Sequence, residues 1–121
     1  MAQISSSGLT TTVGTSLTTV LQMTVTGAEY LGFQIENSSD AALNAFEVQA
    51  RVSNASSNWV TLTISTDAAS PWPFYSTTDL TALGTSTNAI LAGVGRHWAE
   101  IRLQASVASG TTELTVYPTG G

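Results

Sequence analysis

The sequence predicts an all-β protein: a single antiparallel β-sandwich of seven or eight strands, of which a jelly roll is one form, with an extended N-terminal arm. A barrel is the alternative. Two observations carry this. Thr and Ser make up 35 of the 121 residues; β-branched Thr is stiff at χ1, and both hydroxyls compete for the hydrogen bonds of a helix. Apolar residues also recur at every second position in short runs broken by turn residues, which is the strand period. One domain suits the length. Leu, Ile, Val and Phe number 28 residues, above the roughly 20% below which chains stay disordered.

Residues 1–16 read as the arm, since Ile4, Leu9 and Val13 are too few apolar groups to form a core alone. Residues 17–121 read as the sandwich domain. In 17–26, Leu17, Thr19, Leu21, Met23 and Val25 share one face, and Thr18, Val20, Gln22 and Thr24 the other. Gly27-Ala28 suits a turn. In 30–36, Leu31, Phe33 and Ile35 point inward, and Asn37-Ser38-Ser39-Asp40 has turn chemistry, because Asn and Asp bond their own backbone. Phe46, Val48, Ala50 and Val52 form the next inward set, opposite Ala45, Glu47, Gln49 and Arg51.

After a polar loop at 53–58, Val60, Leu62 and Ile64 read as a core face. A long connection over 65–87 follows, whose Pro71 and Pro73 exclude a central strand and whose 78–83 segment suits one helical turn. Residues 88–92 read as a short strand and 93–97 as a glycine-bent loop. In 98–106, Ala99, Ile101, Leu103 and Ala105 point inward. Ser109-Gly110 then turns the chain into 113–117, which predicts a terminal hairpin that Pro118 ends.

Composition excludes several classes. The net charge is −5, Lys is absent, and Arg51, Arg96 and Arg102 are the only cations besides His97; phosphate contacts need clustered cations, so no nucleic acid is expected. Cys is absent, which removes disulfides, zinc knuckles and thiol chemistry. No apolar run approaches the 20 or so residues that cross a bilayer, and the first residues lack a basic and apolar leader. Synthesis in the cytoplasm and no membrane partner are expected.

No constellation points to catalysis. His97 has no marked nucleophile or carboxylate partner. Asp40, Asp67 and Asp79 are isolated and form no calcium ladder, and no carboxylate pair has the setting of a glycosidase. Gly93-Val94-Gly95 lacks the helix and Lys of a phosphate loop. No catalytic, cofactor or metal site is expected. Trp59 and Trp98 each begin a strand and read as closures of the core ends. Arg102 and Glu100 face outward, within reach of Glu113. The most unusual segment is Pro71-Trp72-Pro73-Phe74-Tyr75. The favoured reading is a loop pinned by burying its own aromatics; the other is an exposed platform for sugar stacking or partner contact. Sheets commonly blunt their edges with Lys, and its absence here suits edges covered by neighbouring subunits.

Trp59-Val60-Thr61-Leu62-Thr63-Ile64, the Pro/aromatic loop, Ala89-Ile90-Leu91-Ala92-Gly93, then 98–106 and 110–116 resemble small β-sandwich virion proteins of tailed bacteriophages. The ending, Ile101-Arg102-Leu103 with Ala105-Ser106, a short turn and Thr112-Glu113-Leu114-Thr115-Val116, carries most of the resemblance. It implies a structural role without catalysis: a capsid decoration (cement) protein on the outer surface of the head, made in the host cytoplasm. Its partners would be the major capsid protein and copies of itself, as a homo-oligomer such as a trimer. The residues expected to meet partners are Ile4, Leu9 and Val13 of the arm and Trp72, Phe74 and Tyr75 of the loop. The alternative is a tail, fibre or spike module that binds host-surface glycans.

Overall fold

The computed structural model describes residues 4–5, 8–52, 58–70, 72–95 and 97–121. It is all-β with two sheets. The larger, seven-stranded sheet contains β1 (Ile4–Ser5), β2 (Leu9–Val13), β4 (Tyr30–Asn37), β7 (Ile64–Ser65), β8 (Phe74–Ser76), β9 (Asn88–Val94) and β11 (Thr112–Gly120). Its order is β1-β11-β4-β9-β8-β7, and β2 also pairs with β11. The four-stranded sheet runs β3 (Thr18–Thr24), β10 (Glu100–Val107), β5 (Leu43–Arg51), β6 (Val60–Leu62). The sheets hold more strands than the seven or eight expected. The surplus comes from pieces such as β1, β6, β7 and β8, two or three residues long, too short for any period to register.

Buried side chains from both sheets form one apolar cluster. Phe33 and Ile35 of β4, Val48 of β5, Leu91 of β9, Ile101 and Leu103 of β10 and Leu114 and Val116 of β11 are its centre. All but Leu91 are inward positions that the two-residue period marks. Burying each such side chain is worth about 1.5–3 kcal/mol. Leu80 and Leu83, in and after the 3-10 turn Leu80–Ala82, join this cluster. The turn expected near 78–83 is thus present, and Asp79 caps it by accepting from the Thr81 amide at 3.0 Å and hydroxyl at 2.6 Å.

Several expectations change. In β3 the period breaks: Leu103 pairs with Leu21 and Gln104 with Thr19, so Val20 is the extra residue of a bulge. Val20 and Leu21 are therefore both buried, where strict alternation would separate them. Val52 lies past the end of β5 and is 74% exposed. Segment 60–65 is not one strand with one core face. It changes sheets after Leu62, so β6 pairs with β5 and β7 runs parallel to β8, the one parallel pairing among the described strands. Val60, on the edge strand β6, is 62% exposed.

Strand β9 continues through Gly93 and Val94, beyond the expected loop boundary. Short strand β8 forms directly after Pro73 and is paired on both sides. No terminal hairpin forms, because β10 and β11 belong to different sheets. At the end of β10 the Val107 amide turns to the Gly14 carbonyl at 2.9 Å, and Gly110, at a φ of 73°, supplies the left-handed residue of the turn. Pro118 does not end β11. It pairs with Phe33 and lies between the stretches paired with β2 and β1, so neither short strand needs its missing N–H.

Within the segment expected as an extended arm over 1–16, the structure describes two strands of the large sheet. Leu9–Val13 pairs with β11 from Val116 to Thr112, and Ile4 and Ser5 pair with Gly120 and Thr119.

Candidate interaction surfaces

Glu100 holds Arg51 in an ion pair between β10 and β5, rather than leaving Arg102 to reach Glu113, which lies on the other sheet. Arg102 Nε donates instead to Gln49 Oε1 at 2.6 Å. Asp79 caps the 3-10 turn, and Asp67 accepts the Ala69 amide at 2.9 Å. Glu36 accepts from Gln34 Nε2 at 3.0 Å and, with Glu113, borders an open polar cleft of about 460 Å3 lined also by Thr10, Ser38, Asn88 and Thr115. Among the described residues no three His, Asp or Glu side chains lie close enough to hold a metal ion. None of the described helical segments is long and apolar enough to cross a membrane.

The six residues expected to meet partners separate. Ile4 pairs through its backbone, and its side chain lies outside the described residues. Leu9 begins β2 and is 47% exposed. Val13 and Phe74 are fully buried in the chain's own core, which removes both as partner contacts. Val13 is buried because its register partner Thr112 lies on the inward face of β11. Phe74 is buried because β8 alternates, placing Phe74 and Ser76 inward and Tyr75 outward. Trp72, which the favoured reading buried, is 55% exposed. Among the described residues of this loop Phe74 is the fully buried one, and Trp72 is presented to solvent.

Trp72, Pro73 and Tyr75, together with Ala92, Gly93 and Val94 of β9, line an open apolar cleft of about 270 Å3. The His97 ring meets the Trp72 ring edge-on, with centroids 5.7 Å apart and planes at 74°. The same imidazole meets Trp98 at 5.9 Å and 76°. Trp98 is fixed in turn by its Nε1, which donates to the Val94 carbonyl at 2.9 Å.

No protein-family model, curated protein or solved structure matches the chain.

Sequence reasoning missed the residues that extend this cleft. On the outer face of the large sheet, Tyr30 stands beside Val94, and Ala92 lies between Tyr75 and Gly32. One row further, Tyr117 pairs with Gln34 and Gln34 with Ile90. Tyr30, Ile90 and Tyr117 are all exposed. The signal was present as the outward half of each alternation. It needed the strand order to show that these positions are neighbours.

The other Trp side chains do not close the core ends as equals. Trp98 packs against the core. Trp59 lies against two guanidinium groups, with Arg51 at 4.3 Å and Arg102 at 4.5 Å from its ring centroid.

Proposed function

We propose that the two sheets are the layers of a β-sandwich and that the chain is a non-enzymatic structural protein of a bacteriophage virion, a decoration protein on the outer surface of the head. Its partners in this reading are the major capsid protein and other copies of itself. The observation that supports it best is the edge of β2. Leu9-Thr10-Thr11-Thr12-Val13 pairs with β11 on one side, and no other described strand pairs with it. This edge carries no charge, no proline and no bulge, the devices that keep sheet edges from accepting another strand. An extended segment of a neighbour adds there through backbone hydrogen bonds.

A stable contact of this kind buries on the order of 800 Å2 per partner. Repetition over a closed shell converts weak contacts into high avidity. In this form residues 9–13 work as a docking edge belonging to the domain, not as a free strap.

The test uses heads of the phage that encodes the chain, prepared without it. The purified chain is expected to bind them to saturation, with occupancy read by cryo-electron microscopy. A Thr10→Lys/Thr12→Lys variant places cations on the edge while leaving Val13 buried. It is expected to keep its melting temperature and lose occupancy. Heads that never take up the unaltered chain, or a variant that decorates fully, would overturn the reading.

A further inference from the structure

We infer that the Trp72 cleft is a carbohydrate-binding subsite for an uncharged hexose unit. The inference stands apart from docking through β2, because the cleft involves other strands and another part of the surface.

An exposed indole is ordinarily an energetic liability, since its large apolar face meets water. This one is held in place. The His97 ring abuts it, Trp98 abuts His97, and the Trp98 indole is hydrogen-bonded to Val94 of β9, which also lines the cleft. A side chain free to sweep through rotamers would lose that freedom on binding, whereas a buttressed one has already lost it. The geometry therefore suits a flat ligand face laid on a fixed ring.

The floor of the cleft suits the same ligand. Ala92 turns only a methyl group to this outer face beside Tyr75, so a ring can approach the β9 backbone. Gly93 is required for a separate reason on the inward face, where a Cβ would fall on the buried Phe74 ring. An opening of about 270 Å3 lies near the lower end of small-ligand clefts, a size for one sugar ring rather than a large cofactor.

Chemistry chooses between candidate ligands. A pyranose offers a face of C–H bonds to an aromatic ring, whose face is negative and edge positive, and a rim of hydroxyls. Tyr75 supplies a phenol in the lining, and Thr119 lies three register steps from it on the same face, across Ala92 and Gly32. None of the described residues lining the cleft is charged, so an acidic or cationic ligand finds no counter-charge among them. Tyr30, beside Val94, extends the aromatic surface for a second unit of a chain.

The full chain is to be titrated with maltohexaose, cellohexaose, galactohexaose and mannohexaose, following Trp fluorescence and NMR shifts of the indole N–H groups. At least one is expected to bind with Kd on the order of 0.1–1 mM. Trp72→Ala is expected to weaken that binding by about tenfold or more, with the melting temperature within about 2 °C of the unaltered chain. Trp72→Phe keeps a ring and is expected to recover part of the affinity. His97→Ala, which removes the buttress but touches no sugar, is expected to weaken binding several-fold while leaving the set of accepted sugars unchanged. Failure of all four sugars to bind would overturn the inference, as would full binding by Trp72→Ala. A change of sedimentation state in Trp72→Ala would also overturn it, assigning the indole to contacts between copies. Head decoration by Trp72→Ala is expected to be normal, so failure here and failure of docking through β2 are separately visible.

Discussion

The ring of Phe74 lies where a side chain on Gly93 would begin. The two residues pair across β8 and β9, and a Cβ built on Gly93 would overlap the Phe74 ring. Phe74 has no exposed surface, so the ring cannot swing away into water. Gly93 is therefore set by packing, not by turn geometry. Gly93→Ala is expected to destabilise the fold by about 1–3 kcal/mol through overpacking, and Phe74→Ala by about 3–5 kcal/mol through the cavity it leaves. In the Phe74→Ala background, Gly93→Ala should cost little. Urea denaturation of the four proteins gives the cycle, and additive losses would contradict the contact.

Asn37 ends β4 as a buried polar clamp. Its Nδ2 donates to the carbonyls of Ala41 at 2.8 Å, Leu83 at 3.2 Å and Gly84 at 3.2 Å. Its Oδ1 accepts from the Thr112 hydroxyl at 2.7 Å. One side chain thus ties β4, β11 and the segment after the 3-10 turn together. Asn37→Ala leaves several of these groups unpaired and is expected to cost about 1–3 kcal/mol. Asn37→Asp should cost at least as much, because a carboxylate oxygen would face the three carbonyls. Thermal denaturation checks the order; an Asp variant as stable as the unaltered chain would show that the three donated bonds contribute nothing.

The inward half of each strand was legible in the sequence because burial is a one-body property: Leu31, Phe33 and Ile35, or Ile101, Leu103 and Ala105, announce themselves by period alone. Which strands adjoin is not such a property. The 98–117 stretch reads as a hairpin, and only the change of sheet after Val107 separates β10 from β11. Asn37 read as turn chemistry because its four partners lie at 41, 83, 84 and 112, none of them legible as neighbours. In the aromatic loop the composition marked the right segment. Whether Trp72 or Phe74 filled the core depended on where β8 begins, and nothing in Pro-Trp-Pro-Phe-Tyr fixes that phase.

The Trp59 ring contacts both Arg51 and Arg102 on the outer face of the small sheet. Each guanidinium is anchored from the side, Arg51 by Glu100 and Arg102 by Gln49. A cation over an indole contributes about 0.5–1 kcal/mol at a partly exposed site. Trp59→Ala is expected to lose about 1–2 kcal/mol from the two contacts together, and Trp59→Leu, which restores bulk without the ring, to recover only part. High salt should weaken these contacts little, since the attraction is to a quadrupole at contact distance and not to a distant charge. A salt-sensitive loss in chemical denaturation would assign the effect to the Arg51–Glu100 pair instead.

Removal of the N-terminal segment separates a free arm from a strand of the domain. A free arm could be deleted without effect on folding, which is what an extended reading of 1–16 implies. Val13 is instead fully buried, β2 covers the outer edge of β11 at Leu114 and Val116, and the Gly14 carbonyl receives the Val107 amide. Deleting residues 2–14 therefore exposes core positions of β11 as well as removing Val13, whose burial alone is worth about 1.5–3 kcal/mol. The truncated chain is expected to unfold at clearly lower urea, and Val13→Asp to do the same by burying an unpaired carboxylate. A truncation with unchanged midpoint would restore the free arm. The outcome also decides how docking through β2 can be tested at all: if the strand is integral, a truncated chain that fails to decorate heads has only lost its fold. Lysines at Thr10 and Thr12, which leave Val13 in place, are then the variants that speak to the partner.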